Sequence, residues 1–542
     1  MRRVMTAIFL LAASLTAKGL FSEELMKPAA YVVIQNYDEA IKAASTLAKK
    51  VDTKETFDMF VYFCRPIKGI DQHEPIVAGL FADTSRIVPF GYVPVADFKD
   101  FSLPKFDELA TRYNSASRRL TVKFNDQLYP LTVVSQDTSS ILVPKGTEEP
   151  IPRISTEDFA EEDNKEAVFY GRVYPNRLPE EIRQSLLASL SAKLPGVSPL
   201  AEPFLRQVDS VGFALRVDSP SSDLVLSYDI RAVPESDLAK AFSRMSDQKS
   251  RWNALLDHSD NVFSIRFNAV FPEPMTEQVR EACQSKFRDI FQTDLAGLEG
   301  EEAQKAHNVL DNLASFCDKT LARGEVDIAV ALTKEPFLIA AMTIEGGGNL
   351  LEALDGLSTV VQEIEEDDDP LLNSLPDIHF NMVQSCDYTV TIYNDARKNW
   401  DLGKVNPDLS KDAISPGFLL GIKEDSLFLV AGLGLKKAAL KFRETAGQNQ
   451  SPKPISPTIT RLAVNNLGSL LTFLIPETDF DYYSLASLMS REKAETKITQ
   501  TLTRGGPDSL GGEVVVSGEN FSFFGKLCKQ IKEMKAEQMG EF

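Results

Sequence analysis

Histidine is the side chain best suited to acid–base and metal chemistry near neutral pH, so its spacing is informative. This chain has four histidines, His73, His258, His307 and His379, and each is separated from the next by dozens of residues. Neither His-x-x-x-His nor His-Glu-x-x-His occurs, so no local spacing predicts a zinc site or a metalloprotease motif. A hydrolase site assembled from distant residues stays open as an alternative.

Serine motifs of the penicillin-interacting enzymes occur only as fragments. Ser246–Lys249 and Ser490–Lys493 have the Ser-x-x-Lys spacing, and Ser259–Asn261 reads Ser-Asp-Asn. The Lys-Thr-Gly element is absent, and the first Lys lies too close before the Ser-Asp-Asn triplet for the family's layout. Matches this short arise by chance, so we predict no serine nucleophile.

A run of acidic residues is the strongest candidate for cation binding. Asp367, Asp368 and Asp369 follow Glu365 and Glu366 and could supply oxygen ligands for calcium. The glycine-turned spacing of an ordered calcium loop is missing. The run is more typical of a solvated surface segment, so we predict no metal ligand.

A pair of glycines in Asp425–Phe442, DSLFLVAGLGLKKAALKF, raises the question of a phosphate-binding loop. Gly432 and Gly434 follow a strand pattern and precede a helix pattern, but Lys437 stands where a dinucleotide fingerprint needs its third glycine. Gly346–Gly348 is not followed by Gly-Lys-Ser/Thr either. We interpret these glycines as chain-reversal residues and predict no catalytic residue and no cofactor.

A strand, a polar or glycine turn and a helix pattern recur along the chain. The corresponding turns of other segments contain Gln-Asn, Pro-Glu or Ser-Gly-Glu-Asn at the position of Gly432 and Gly434. Interchangeable turn residues favour a scaffold role. The other segments with this pattern begin at Tyr31, Val168, Leu224, Val262, Leu338, Ile459 and Glu513.

Three of these segments, 209–243, 325–360 and 418–442, carry an extra strand in front and predict β-hairpins. Period-two alternation predicts one dry and one wet face. The sequence therefore predicts an α+β protein with several antiparallel sheets built from repeated β-hairpin–helix units, the helices packed on one sheet face. The predicted dry faces are Val211, Phe213, Leu215 and Val217 with Leu224, Leu226, Tyr228 and Ile230, and Val326, Ile328, Val330 and Leu332 with Leu338, Ala340, Met342 and Ile344.

The cysteines are Cys64, Cys283, Cys317, Cys386 and Cys528, which is not a disulfide framework. A helical hairpin is predicted over 275–322. If the two helices pair symmetrically about their connecting loop, Cys283 lies opposite residues near His307 to Asn312. This position is too far from Cys317 for a disulfide. We predict mostly buried free thiols.

Acidic, proline-marked stretches at 146–163 and 363–370 predict linkers or surface loops. They divide the chain into expected α+β domains at 25–146, 164–365 and 377–542. The middle domain would contain the helical hairpin.

The N-terminus has the layout of a secretory signal peptide over residues 1–19. Arg2 and Arg3 precede a short apolar run, and Gly19 closes a small-x-small cleavage site. The run is shorter than the roughly 20 residues needed to span a bilayer. We predict cleavage near Gly19, export to the periplasm or outside the cell, and no transmembrane segment in the mature chain. The net charge of −20 disfavours nucleic acid as a partner.

Two segments carry a resemblance to known proteins. They are AAYVVIQNYDEAIKAA near the expected mature start and PFGYVPVADFKDF at 89–101. With the leader and the recurring segments, the chain resembles large exported bacterial proteins of unknown function, of the planctomycete type. The resemblance implies export but no activity, and no functional residue is carried over from it.

Two hypotheses follow. The first is an exported, non-enzymatic protein that acts as a binding or scaffold module, with a protein or a lipid-like ligand as its partner in an apolar hollow between sheet and helices. The second is a hydrolase whose site is assembled from distant residues. The absence of convergent catalytic groupings in the sequence favours the first.

Overall fold

The computed structural model describes about three fifths of the chain. The described residues are 27–51, 69–82, 87–95, 109–114, 119–124, 127–136, 139–144, 159, 164, 166–193, 205–218, 220–244, 249–256, 258–271, 273–293, 300–335, 337–365, 378–383, 386–393, 416–423, 425–433, 441, 453–454, 458–474, 496–526 and 529.

The strands in chain order are β1 (Lys27–Ile34), β2 (Ile76–Ala82), β3 (Ile87–Val93), β4 (Leu109–Asn114), β5 (Arg119–Phe124), β6 (Gln127–Gln136), β7 (Ser139–Pro144), β8 (Phe169–Val173), β9 (Val208–Val217), β10 (Leu224–Ala232), β11 (Lys249–Ser250), β12 (Asn261–Val270), β13 (Glu325–Thr333), β14 (Phe337–Thr343), β15 (Ile378–Val383), β16 (Cys386–Tyr393), β17 (Pro416–Lys423), β18 (Ser426–Leu433), β19 (Lys453–Pro454), β20 (Thr458–Val464), β21 (Ile498–Gly506) and β22 (Ser509–Val516).

The helices are α1 (Tyr37–Val51), α2 (Glu180–Lys193), α3 (Asp237–Arg244), α4 (Asn253–Leu256), α5 (Glu273–Thr293), α6 (Gly300–Ala322), α7 (Gly347–Glu365), α8 (Leu467–Leu474) and α9 (518–526). A 3₁₀ turn, Pro175–Arg177, precedes α2.

Local capping fixes the start of two of these helices. The Asn36 carboxamide oxygen accepts the Glu39 backbone N–H at 3.1 Å at the start of α1. The Asn466 oxygen accepts the Ser469 N–H at 2.8 Å at the start of α8. An asparagine in this position satisfies one of the backbone donors that the first helical turn leaves unpaired.

The chain divides into two compact units. The first unit contains 1–239, 492–498 and 505–542, and the second contains 240–491 and 499–504. These limits differ from the expected blocks 25–146, 164–365 and 377–542. Distant strand pairing explains the difference, because β22, near the C-terminus, pairs with β10, and β18 pairs with β14 across the acidic stretch at 363–370.

The first unit is built on antiparallel pairing in the order β7–β3–β2–β1–β8–β9–β10–β22. β4, β5 and β6 continue the pairing from β7. Its main core includes a stacked pair of rings, Phe81 and Phe90, with centroids 4.1 Å apart. The buried side chains of this core are Tyr31, Val33, Val77, Phe81, Val88, Phe90, Val143, Phe159, Tyr170 and Ala214.

The second unit has the antiparallel order β15–β16–β17–β18–β14–β13–β12–β20. The short strands β11 and β19 pair separately. Its main core lies on one face of this sheet beneath α4, with the Trp252 and Phe428 rings edge to face at 5.6 Å. The core residues are Trp252, Leu255, Ala329, Ala331, Phe337, Ile339, Ala341, Leu419, Phe428 and Val430.

The combination of helices with antiparallel sheets confirms the predicted α+β class. The prediction of which face is dry was wrong in two hairpins. In β13 and β14 the fully buried face carries Ala329, Ala331 and Ile339, whereas Leu338, assigned to the dry face, is 42% exposed. In β9 the buried residues are the alternate set that contains Ser210 and Ala214.

Side-chain size explains this reversal. Both faces of β13 and β14 are apolar, and the alanine face lets the Trp252 segment approach the sheet closely. The helices are also not all on one face, since α4 contributes Leu255 to the alanine side while α6 and α7 contribute Phe316 and Leu350 to a cluster on the other side.

The helices α5 and α6 occupy the range where a helical hairpin was predicted, but their pairing differs from the expected one. Arg280 on α5 donates to both carboxylate oxygens of Asp318 on α6, at 2.9 and 3.1 Å. Cys283 lies one turn further along α5, and Cys317, directly before Asp318 on α6, is close enough to it to interact. The prediction that Cys283 faces residues near His307 to Asn312 was therefore wrong, because the ion pair, not the loop centre, sets the register.

Candidate functional site

The histidines lie on different elements in the described structure. His73 precedes β2 and is exposed, and His307 is an exposed residue of α6. His258 accepts a hydrogen bond from the Asp260 backbone N–H at 3.4 Å. His379 lies in β15. Within the part of the chain that the structure describes, no group of three or more His, Cys, Asp or Glu residues is placed to hold a metal ion.

The Ser-Asp-Asn triplet has a structural role. The Asn261 side chain is 2% exposed and donates to the carbonyls of Leu255 and Leu256, at 2.7 and 3.1 Å. These bonds close the C-terminal end of α4, where helix carbonyls need partners. Lys249 pairs with Pro454 in a two-residue ladder. Ser246 and Ser490–Lys493 lie outside the described residues.

The glycine pair does not begin a turn at Gly432. This residue lies inside β18, where its partners are Phe337 and Gly417 on the two neighbouring strands. Apolar pairing on both sides extends the strand to Leu433, one residue further than the expected turn. Gly434 lies outside the described residues, as do the acidic run at 366–369 and the leader at 1–19.

Gly346 does serve a turn. Its φ of +77° is in the left-handed region, and its carbonyl accepts the Asn349 N–H at 2.9 Å as α7 begins. The turn packs against α6, because the Thr320 hydroxyl donates to the Glu345 carbonyl at 2.6 Å. Glycine is the residue that tolerates this backbone conformation most easily.

A polar cluster beside the Trp252 core is the first candidate for chemistry in the second unit. The Asp327 carboxylate accepts the Ser250 hydroxyl at 2.8 Å and the Thr343 hydroxyl at 3.3 Å. Burial raises the pKa of Asp327, and the hydrogen bonds from Ser250, Asn268 and Thr343 offset this in part. A carboxyl group with a raised pKa beside a hydroxyl could exchange a proton with it.

Access argues against a reaction in this cluster. Ser250 is 1% exposed, and its oxygen also accepts the Trp252 N–H at 3.1 Å. Its neighbour Arg251 donates to both oxygens of Asp425, at 2.6 and 2.7 Å. Each of these polar groups is directed at another protein group, so the cluster fastens the 249–256 segment to the sheet.

A second polar cluster lies in the first unit. Arg172 is 3% exposed and donates to the two oxygens of Asp229, at 2.9 and 3.0 Å, and to the Ser210 hydroxyl at 3.1 Å. Gly212 separates the two charged residues, and a Cβ there would lie 2.2 Å from an Asp229 oxygen. A buried charge with a two-bond partner is a structural brace, because breaking it leaves an uncompensated charge.

The remaining candidate is an apolar face of the second unit. Strand pairing aligns three rows of side chains on the side opposite Trp252, and we call these residues the open face. The rows are Val464, Phe263, Leu332, Leu338 and Ala431; Leu462, Ile265, Val330, Ala340, Leu429 and Leu420; and Phe267, Ile328, Met342, Leu427 and Ile422.

The described residues cover the open face only in part. At one end Met342 and Leu427 pack against Leu313 and Phe316 of α6 and against residues of α7. Elsewhere its side chains are mostly half-buried, while Leu338 is 42% and Phe267 is 39% exposed. These are two of the three large apolar residues that are exposed in the described part of the chain, the third being Phe524 of α9.

The sequence analysis identified the residues that β13 and β14 contribute to this face, but assigned them to a sealed interior. The missing signal was the alternate set of small residues, Ala329, Ala331 and Ala341, which marks the side where another segment comes close. Trp252 was also missed as the centre of the core, although it is one of only two tryptophans in the chain. A tryptophan followed by a short apolar run is the pattern that could have indicated it.

Protein-family models, curated proteins and solved structures give no match to this chain. Among the helices in the described ranges, none combines the length and apolar character needed to cross a membrane. Geometry and chemistry of the residues are therefore the basis for any functional assignment.

Proposed function

We propose that this protein is an exported, non-enzymatic binding module whose open face holds a lipid-like ligand. The observation that carries the proposal is the set of three apolar rows, in register over six strands, which α6 and α7 cover at one end and in which Leu338 and Phe267 are exposed among the described residues. Exposed contiguous apolar surface on a soluble domain typically marks a binding site.

The strands beneath the open face favour contacts through side chains. β13 and β14 have hydrogen-bonded neighbours on both sides, so a peptide cannot add to them as an extra strand. The rows contain no hydrogen-bonding side chain, which suits hydrocarbon better than a polar peptide. Each buried methylene of an acyl chain would contribute about 0.8 kcal/mol before the cost of association.

Charge favours a ligand without net negative charge. The chain carries a net charge of −20 at neutral pH. A negatively charged partner, including a second copy of the chain, would therefore be repelled at distances shorter than the screening length of the salt. A neutral or zwitterionic lipid avoids this repulsion. In this proposal the repeated strand–turn–helix segments form the scaffold on which the open face lies.

The test uses full-length protein and N-phenyl-1-naphthylamine, a neutral apolar fluorophore, displaced by lysophosphatidylcholine. We expect saturable binding by the wild type and a loss of affinity of about tenfold or more in Leu338→Lys, because a charged head at this position must stay hydrated. Phe524→Lys is the matched control, since Phe524 is 43% exposed on α9 of the first unit. It should bind as the wild type does.

Three outcomes would count against the proposal. Equal losses in the two lysine variants would mean that the fluorophore reports general surface apolarity. No saturable binding would remove the lipid-like ligand. A concentration-dependent dimer in sedimentation that Leu338→Lys abolishes would assign the face to a second copy. Export is tested separately by sequencing the N-terminus of the protein recovered from an expressing bacterium, with a start after Gly19 expected.

A further inference from the structure

Two thiols between α5 and α6, those of Cys283 and Cys317, are positioned to react, and they lie outside the open face. Arg280 and Asp318 fix the register of the two helices by a two-bond ion pair. Cys283 lies one turn after Arg280 on α5 and Cys317 directly precedes Asp318 on α6, so the ion pair brings the two thiols close enough to interact. Neither is in a disulfide and both are half-buried, so a small reagent can reach them.

Further contacts show that the facing register extends along the helices. The Gln284 side chain donates to Asp318 at 3.1 Å. At the far end of the pair, a Cβ on Gly324 would lie 3.3 Å from the Thr276 hydroxyl oxygen. Antiparallel helices held at several points keep opposite side chains adjacent, which is the condition for a disulfide without backbone movement.

We propose that Cys283 and Cys317 are a modification site, at which an external disulfide compound oxidises the pair to an intramolecular disulfide joining α5 to α6. α6 already packs on the sheet through Leu313 and Phe316, whereas α5 is largely exposed. The bond would fasten the outer helix to the inner one. This inference does not depend on ligand binding at the open face.

The reaction is two thiol–disulfide exchanges. Burial raises the pKa of Cys317, and Cys283 lies on the outer, largely exposed helix, where an external reagent reaches it first. The Cys283 thiolate therefore attacks the external disulfide R–S–S–R and releases one R–S⁻. Cys317 then loses its proton and attacks the Cys283 sulfur, which forms the internal S–S bond and releases the second R–S⁻. Two electrons pass to the external compound, and the two protons lost by the cysteines convert its products to thiols.

The test treats full-length protein with glutathione disulfide at mildly alkaline pH, blocks the remaining thiols with N-ethylmaleimide and digests with trypsin without reductant. Cleavage after Arg280, Lys286, Lys305 and Lys319 yields peptides 281–286 and 306–319. We expect these two peptides as one linked species, two hydrogen atoms lighter than their sum, which dithiothreitol separates.

Matched variants locate the bond. Cys283→Ser should abolish the linked species. Cys283→Ser combined with Ser285→Cys moves the thiol to an exposed position of α5 and should not restore it. The proposal is overturned if both peptides carry N-ethylmaleimide after oxidation, if glutathione stays attached to Cys283, or if either cysteine is instead linked to Cys64, Cys386 or Cys528.

Discussion

The strands β8–β9–β10 of the first unit and β12–β13–β14 of the second pair in the same order, yet one buried cross-strand row differs between them. In the first unit this row is Arg172, Gly212 and Asp229, and it holds a charge pair. The glycine leaves room for the two charged side chains to meet above the middle strand.

The second unit fills the corresponding row with Arg266, Ala329 and Ala341. An alanine stands where the first unit has the aspartate, and Trp252 packs against the alanines. The same strand arrangement thus supports a buried ion pair or, beside a buried arginine, an apolar core packed on alanines. Alternation of residue types along a strand does not by itself decide which face is inside.

The largest effect should come from breaking the charge pair of the first unit. Arg172→Ala leaves Asp229 without its main partner beside a buried site, so we expect a loss of about 3–5 kcal/mol in the free energy of unfolding. Urea denaturation followed by circular dichroism measures it. Arg172→Met with Asp229→Leu should restore most of the loss. A double variant as unstable as Arg172→Ala would show that the charges are needed in themselves.

The second unit supplies the contrast to this substitution. Its Arg251–Asp425 pair is more exposed, with side chains 19% and 40% accessible. Arg251→Ala should therefore lower the free energy of unfolding by about 1 kcal/mol, well below the effect in the first unit. Equal losses would contradict the assignment of the first pair as the buried brace.

An effect between these two is expected from filling the space above Gly212. A Cβ there would lie 2.2 Å from an Asp229 oxygen and 2.8 Å from an Arg172 nitrogen, so Gly212→Ala must displace the pair. We expect a loss of about 2 kcal/mol. In an Asp229→Ala background, which copies the second unit at this position, the same change should cost clearly less, because only the approach to the end of the Arg172 side chain remains. Unfolding of the four proteins as a double-mutant cycle measures the coupling, and simple additivity would exclude the clash as the cause.

The sequence was sufficient for elements that depend on local chemistry. The helix α7 follows the predicted glycine turn, and α1 follows Gln35–Asn36, where the Asn side chain caps the helix. The sequence did not reveal features that depend on distant partners. Pairing of β22 with β10 joins residues nearly three hundred positions apart, and the register of α5 and α6 rests on Arg280 with Asp318. The open face was missed for the same reason, since its exposure depends on what covers it.

Two register-equivalent leucines provide a finer test of the outer faces. Leu226 pairs with Leu215 in the first unit as Leu338 pairs with Leu332 in the second, but only Leu338 is largely exposed. We expect Leu226→Ser to lower the free energy of unfolding by about 1–2 kcal/mol and Leu338→Ser by about 0.5 kcal/mol or less. Chemical denaturation of both variants checks this, and a larger loss for Leu338→Ser would mean that its face is sealed in solution.

The smallest expected effect concerns a second equivalent pair of positions, Ser210 in β9 and Asp327 in β13. Burial raises the pKa of Asp327 in the folded state above its ordinary value of 3.8, so ionisation disfavours folding. The contribution of protonated Asp327 to the free energy of unfolding is fully present below the unfolded-state pKa. It is lost as pH rises through the folded-state pKa. Asp327→Asn does not titrate, so its free energy of unfolding relative to the wild type should increase from acid to neutral pH and then level off. Urea denaturation of both proteins across this range measures the difference.

Ser210→Ala, which removes a polar group that does not titrate, should show no such trend. A difference between Asp327→Asn and the wild type that falls as pH rises would mean that the hydrogen bonds from Ser250 and Thr343 outweigh burial and lower the pKa of Asp327 instead.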